Sequence, residues 1–341
     1  MKNRIIEGAA ILITAAMIIT ISGCTSQKNS GSASAVQYHW VASNDMAVDS
    51  PNDKSLKEFG RLLNEKSGGR ITLDVYSGGS LQSEIDSIAG MQMGTVDFVI
   101  AATPNLSSFT DTQKIWDLPY LFEDLEQARK VARGPVAQKI LDRLSNEGMK
   151  GLCYWENGMV QLAATQPVHS MADLKGMKVR SMNNEVHTRI YECYGAHPVV
   201  LSWGDIYTSL QQGTINAISS TSLVNMFTSH FEEVAPYIIE INQQYGQYAL
   251  CMSEKVWNGL PDDIQKIVVE SALEAQAFNY EISDQTLQTA EKKMKEGGAE
   301  FIQVDMGEFA AATEPVYAEF VGNGKIDPSD VEAIRKAAGG E

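Results

Sequence analysis

Arg180 closes a short strand at residues 178–180 and is the side chain whose chemistry is easiest to name. Its planar guanidinium donates two parallel hydrogen bonds to a carboxylate. Taken alone, an Arg at a strand end is as a rule a solvated surface charge. Trp203 precedes a helix, where an indole forms either a wall of a cleft or a piece of core. Tyr207, one turn on, offers a hydroxyl or packs. Ser43-Asn44-Asp45 and Thr103-Pro104-Asn105 each follow a strand. Open α/β sheets bind ligands at the carboxyl ends of strands, so the residues of both loops, Asn44 and Asn105 among them, are candidates by position. No G-x-S-x-G elbow, P-loop or H-E-x-x-H run is present. The 5 histidines lack a nucleophile partner, and His and Cys show no metal-ligand spacing. No cofactor, no metal and no enzyme activity are expected.

The elements that must carry these residues alternate. Residues 38–42 read as a strand. Pro51 opens a helix with Leu56, Phe59, Leu62 and Leu63 on one face, closed by Gly68-Gly69. Ile71, Leu73 and Val75 alternate as in a half-buried strand. A helix runs from about Ser83 to Gly94, with Glu84 and Asp86 in its first turn, where the helix dipole favours acids. Residues 96–101 are apolar enough for a strand buried on both faces. Strand, helix and strand in this order imply parallel pairing. The same grammar returns at residues 178–219. Gly94-Thr95-Val96-Asp97-Phe98-Val99 matches Gly213-Thr214-Ile215-Asn216-Ala217-Ile218 in residue type. Two similar lobes are expected from this repeat. A long helix follows Leu260-Pro261, with Ile264, Ile267, Val268, Ala272 and Ala275 on one stripe. A short strand near 301–304 and two terminal helices complete the chain.

Composition sets the setting. The chain has 341 residues and a formal net charge of −16, enough length for two domains. The acidic balance argues against nucleic acid or an anionic membrane as a bulk-charge partner. Lys2 and Arg4 precede an apolar run at 9–21, the pattern of a secretory signal rather than a spanning helix. Ile21-Ser22-Gly23-Cys24 resembles a bacterial lipobox, with Ile where Leu is commoner, and makes Cys24 the lipidation site. Residues 1–23 read as the signal peptide and 24–36 as a flexible, Ser- and Gly-rich tether. Cys153, Cys193 and Cys251 remain, too few and too scattered for a disulfide framework.

From Asp117-Leu118-Pro119-Tyr120-Leu121-Phe122 onward the sequence resembles a known family, the DctP-type solute-binding proteins of tripartite ATP-independent periplasmic (TRAP) transporters. Ser67-Gly68-Gly69-Arg70-Ile71, the Gly79-Ser80-Leu81 turn and Asp173-Leu174-Lys175-Gly176-Met177-Lys178-Val179-Arg180 carry the resemblance. Gly195-Ala196-His197-Pro198-Val199, the Asp205–Gly213 segment and Leu260-Pro261 continue it in order, over about residues 38–335. The resemblance implies an α/β, two-lobed periplasmic-binding-protein-like fold with hinge strands and a long inter-lobe helix. It places lobe 1 at 37–156 plus 246–284 and lobe 2 at 157–245 plus 285–339. It implies a small organic-acid ligand held between closing lobes and delivery to DctQ/DctM-type membrane permease subunits by a monomer anchored through its lipid to the outer face of the cell membrane. The alternative is a sensory lipoprotein presenting its ligand to a membrane histidine kinase.

The resemblance puts Arg180 at the family's carboxylate-binding position and Trp203 at its aromatic position. Two departures bear on the ligand. Val160 stands where a second Arg is common, and Ser219 and Ser220 replace a Glu-Asn pair. Both remove charge or reach. A dicarboxylate is disfavoured, and a monocarboxylate with an apolar, aromatic or polyol body is expected. The crossover segment Tyr154-Trp155-Glu156-Asn157 adds aromatic surface and one acid, so Trp155, Glu156 and Asn157 join the candidates.

Overall fold

The computed structural model describes residues 36–339. The expected signal peptide, Cys24 and most of the tether lie outside the described residues. Ten strands form: β1 (Tyr38–Ser43), β2 (Ile71–Tyr76), β3 (Phe98–Ala102), β4 (Met149–Ala164), β5 (Lys178–Ser181), β6 (His197–Val200), β7 (Ala217–Ser222), β8 (Tyr237–Glu240), β9 (Tyr245–Ser253) and β10 (Glu300–Gln303). Local chemistry explains the helices between the first three. Ser50 caps the helix Pro51–Lys66, and its Oγ accepts from the Asp53 N–H. Ser83 caps the helix Glu84–Met93, which Gly94 ends in the left-handed conformation at φ 79°.

The strands run β2-β1-β3-β9-β4-β7-β5-β6, with β8 and β10 alongside. β1, β2 and β3 are parallel, as are β5, β6 and β7. In each trio the first strand in sequence lies in the middle. β4 belongs to both halves: residues 149–159 pair antiparallel with β9, and residues 160–164 pair with β7 and β8. A register shift between Glu156 and Gly158 marks the passage, with Gly158 at φ 107°.

The repeated Gly-Thr phrase has a structural counterpart. Asp97 accepts the Val41 N–H at 2.8 Å and returns its own N–H to the Val41 carbonyl. Asn216 does the same for Lys178, at 3.1 Å. Each clasp pins the start of the third strand to the central strand of its trio. Ser43 pairs with Val99 as Arg180 pairs with Ile218, so Arg180 and Ser43 occupy matching strand ends in the two halves.

The 35-residue helix Asp262–Glu296 buries Ile264, Val268, Ala272 and Ala275 in a core with Leu56, Phe59, Phe98 and Trp155. Among the described residues no helix is long and apolar enough to cross a membrane. The tail holds three helices, Met306–Ala312, Glu314–Phe320 and Pro328–Ala338, where two were expected. Thr313 separates the first two: its N–H and hydroxyl both turn back to the Ala310 carbonyl, and Pro315 stands in the first turn of the next. The last helix packs on the helices Leu125–Ala132 and Pro135–Leu141, and Arg143 pairs with Asp330 at its start.

β4 lies close on its neighbours. A Cβ at Gly151 would stand 2.4 Å from Leu141 Cγ and 3.0 Å from the Leu141 carbonyl oxygen. Gly151→Ala is expected to lower stability by about 1–3 kcal/mol, as overpacking does. A lowered urea midpoint with an unchanged m-value is the expected readout. Gly204→Ala, with nothing within 4 Å of its Cβ, should leave the midpoint in place. Equal midpoints for the two variants would overturn the packing argument.

Candidate functional site

The carboxyl ends of β1, β3, β5 and β6 converge with the crossing strands on one cavity of about 80 Å³, several times the roughly 10–15 Å³ a single water needs. Arg180, at the end of β5, is 2 % exposed. Its Nε donates to the Leu201 carbonyl at 3.2 Å. Its Nη1 is buried without a hydrogen-bond partner. The Trp203 ring lies beside it, its centroid 5.8 Å from Arg180 Cζ. Burial lowers the Arg180 pKa to about 10, and the group stays charged at neutral pH.

Two acids from the first half complete the electrostatics. Asp45 follows β1, and its Oδ2 accepts from the Glu84 N–H at 3.2 Å. Glu84 opens its helix and accepts from the Ala102 N–H at 2.7 Å. Burial raises Asp45 to about 6. Burial first, and then the Asp45 charge, raise Glu84 to about 8. Asp45 Oδ1 is buried and unpartnered. Gln247, on β9 and 1 % exposed, has neither amide atom paired. Met46, Val160, Met182 and Trp203 give the cavity an apolar side.

Asn157 stands at the β4 passage. Its Oδ1 accepts from the Ser222 N–H and from Asn225 Nδ2, and Asn225 Nδ2 also reaches Tyr248 OH at 2.8 Å. A side chain at residue 246 would collide with it: a Cβ on Gly246 would lie 2.7 Å from Asn157 Nδ2.

Beside the cavity, contacts join the segment 104–117 to the start of the helix Glu185–Cys193. Asn184 Nδ2 donates to the Pro104 carbonyl and to Asp117 Oδ2, at 3.1 and 2.7 Å. Ser108 Oγ donates to the Asn183 carbonyl, and Lys114 pairs with Glu185. The Asp117 of the Asp-Leu-Pro-Tyr run is thus a buried acceptor. His187 lies 3.5 Å from its Oδ1 and 2.9 Å from Gln244 Nε2.

Of the residues named from sequence, Arg180, Trp203, Asn157 and Asn105 line the cavity, and so does Val160. The others point elsewhere. Trp155 is fully buried in the first-half core. Glu156 is held by Arg129 through two bonds of 2.5 and 2.7 Å, and Arg129 also reaches Asp284. It is a structural ion pair with no free oxygen edge for a ligand. Tyr207 OH donates to Glu233 on the surface. Asn44 braces its own loop, accepting from the Met46 N–H and donating to Ser77. Ser219 is buried in β7 with Oγ unpartnered and does not line the cavity. The side chain of Ser220 lies outside the described residues. Asp45, a candidate only by its place in the loop after β1, also lines the cavity, whereas Glu84 and Gln247 went unnamed. Glu84 read as an ordinary first-turn acid, and Gln247 sits on a strand without alternation.

Among the described residues no group of three or more His, Cys, Asp or Glu could hold a metal ion. Residues 42–323 match the model of DctP, the bacterial extracellular solute-binding proteins of family 7. The chain belongs to that family. Members of family 7 are substrate-binding proteins of transporters, not enzymes. The C4-dicarboxylate-binding protein DctB of Bacillus subtilis is 28 % identical over 280 residues, 81 % of this chain and 80 % of that one. A TRAP periplasmic solute-binding protein from Polaromonas, bound to D-erythronate, superposes with a TM-score of 0.84 at 26 % identity, over 87 % of this chain and 98 % of that one. One from Bordetella, with density assigned to pantoate, gives 0.84 at 28 %, over 88 % and 99 %. This family 7 protein is an exported TRAP-type binding protein with the two-lobed fold.

The acid pair makes the site pH-sensitive. Both carboxyls are raised, so the folded state keeps protons that the unfolded chain has released. Their contribution is fully present below about pH 4 and is lost as pH rises toward 8. Asp45→Asn with Glu84→Gln removes that slope. Melting of the unliganded proteins should therefore favour the double variant more at pH 8 than at pH 5. The attraction of the ionised acids to Arg180 grows between the two values, but it is already contained in these raised pKa values, so the sign stands. A variant-minus-wild-type gap independent of pH would sink the assignment.

Proposed function

We propose that this protein captures a monocarboxylate with a hydroxyl-bearing body, its carboxylate on Arg180. The observation that carries this is a buried guanidinium with an unpartnered Nη1 lining a cavity. A charge so placed is stabilised by an anion that completes its hydrogen bonds. Val160 in the wall supports one carboxylate site rather than two. The D-erythronate of the Polaromonas relative has the same chemistry.

Capture works by closure. The bodies 37–156 plus 246–284 and 157–245 plus 285–339 move about the β4 passage and the long helix. The ligand favours the closed arrangement by its differential affinity for it. The closed protein then delivers the acid, as a monomer, to DctQ/DctM-type permease subunits. Ile21-Ser22-Gly23-Cys24 supports a lipid anchor on Cys24 at the outer face of the cell membrane. Cys24→Ala should move the protein from the membrane fraction to the soluble exported fraction; retention in the membrane would exclude that anchor.

The acid is found by a thermal-shift screen of hydroxylated and plain monocarboxylates, because binding to the native state raises Tm. Arg180→Ala is then expected to weaken its binding by on the order of 2–5 kcal/mol in calorimetry, with circular dichroism unchanged. An unchanged Kd would falsify the role of Arg180.

A further inference from the structure

Asp45 and Glu84 stand in the same cavity as Arg180 but come from the opposite half of the molecule. A ligand whose carboxylate lies on Arg180 extends toward them. We propose that this acid pair, with Gln247, is a subsite for the far end of the ligand that selects a hydroxyl and rejects a second carboxylate. The inference rests on the carboxylate-binding role of Arg180.

The unpaired atoms define the group that fits. Asp45 Oδ1 needs a donor, Gln247 Oε1 needs a donor and Gln247 Nε2 needs an acceptor. Adjacent hydroxyls both donate and accept, so a polyol end satisfies all three. A methylene end leaves them bare, and a site built to hydrogen-bond a substrate hydroxyl discriminates strongly against the analogue lacking it. An ammonium end donates to the acids but gives Gln247 Nε2 nothing to donate to. A carboxylate end brings a further negative charge beside two buried carboxyls, which already oppose each other's ionisation.

This separates the chain from relatives named for C4-dicarboxylates, such as the Bacillus subtilis DctB. Three four-carbon acids test it by calorimetry on the full mature protein: D-erythronate, succinate and 4-aminobutanoate. Erythronate is expected to bind at least about tenfold tighter than either of the others. Asp45→Asn with Glu84→Gln should narrow the erythronate-to-succinate ratio, chiefly by a gain in succinate. Asp45→Asn alone serves if the double variant unfolds. Succinate or 4-aminobutanoate binding as tightly as erythronate overturns the proposal. So does an unchanged ratio in the variants, or a wild type that binds none of the three. In that last case, another acid that co-purifies with the wild type and is absent from Arg180→Ala leaves the carboxylate role of Arg180 standing.

Discussion

Keeping the Arg180 guanidinium out of water is the constraint around which the rest of the site is arranged. A buried charge held by one carbonyl bond is unfavourable unless opposite charge and further hydrogen bonds surround it. The protein supplies part of that compensation from Asp45 and Glu84, part from the Leu201 carbonyl and the Trp203 ring. It withholds the rest, since Nη1 stays unpaired. The two acids are likewise incompletely ionised because each is buried beside the other. A ligand that completes both sets of bonds resolves the two deficits together, which is how a small molecule can hold two halves of a protein against each other.

The half-repeat was legible because it is local. Caps, glycine stops and apolar strands at 71–102 and 178–219 carry their own signals, and the Asp97 and Asn216 clasps explain why the matching phrases recur. What sequence reasoning missed is non-local. β4, β8 and β9 are buried on both faces, so no polar alternation marks them. Arg180 and Trp203 were named through an ordered family resemblance, not through their spacing. Glu156 was misplaced because an acid in a crossover segment shows no sign of the Arg129 that claims it from 27 residues away. Asp45 was marked by nothing but its loop position, and Glu84 was passed over because it looks like a routine helix-start acid.

Family membership and ligand choice come apart here for a physical reason. The clasps, the strand order and the long helix are backbone and core features that any small acid leaves untouched. The cavity lining is separate from that frame: Val160, Met46 and Met182 stand in it with Asp45, Glu84 and Gln247. Relatives near 28 % identity share the frame while differing in what they hold.

The insertion of β9 between β3 and β4 also bears on how the molecule is made. The first half is not a self-contained stretch of chain. Its sheet has a gap until residues 245–253 arrive, and its helix Pro51–Lys66 lacks its main neighbour until the helix Asp262–Glu296 follows. Contacts so distant in sequence form late and slowly. The first half therefore stays incomplete until about residue 296 has been made. For a chain that crosses a membrane unfolded, such a topology postpones folding.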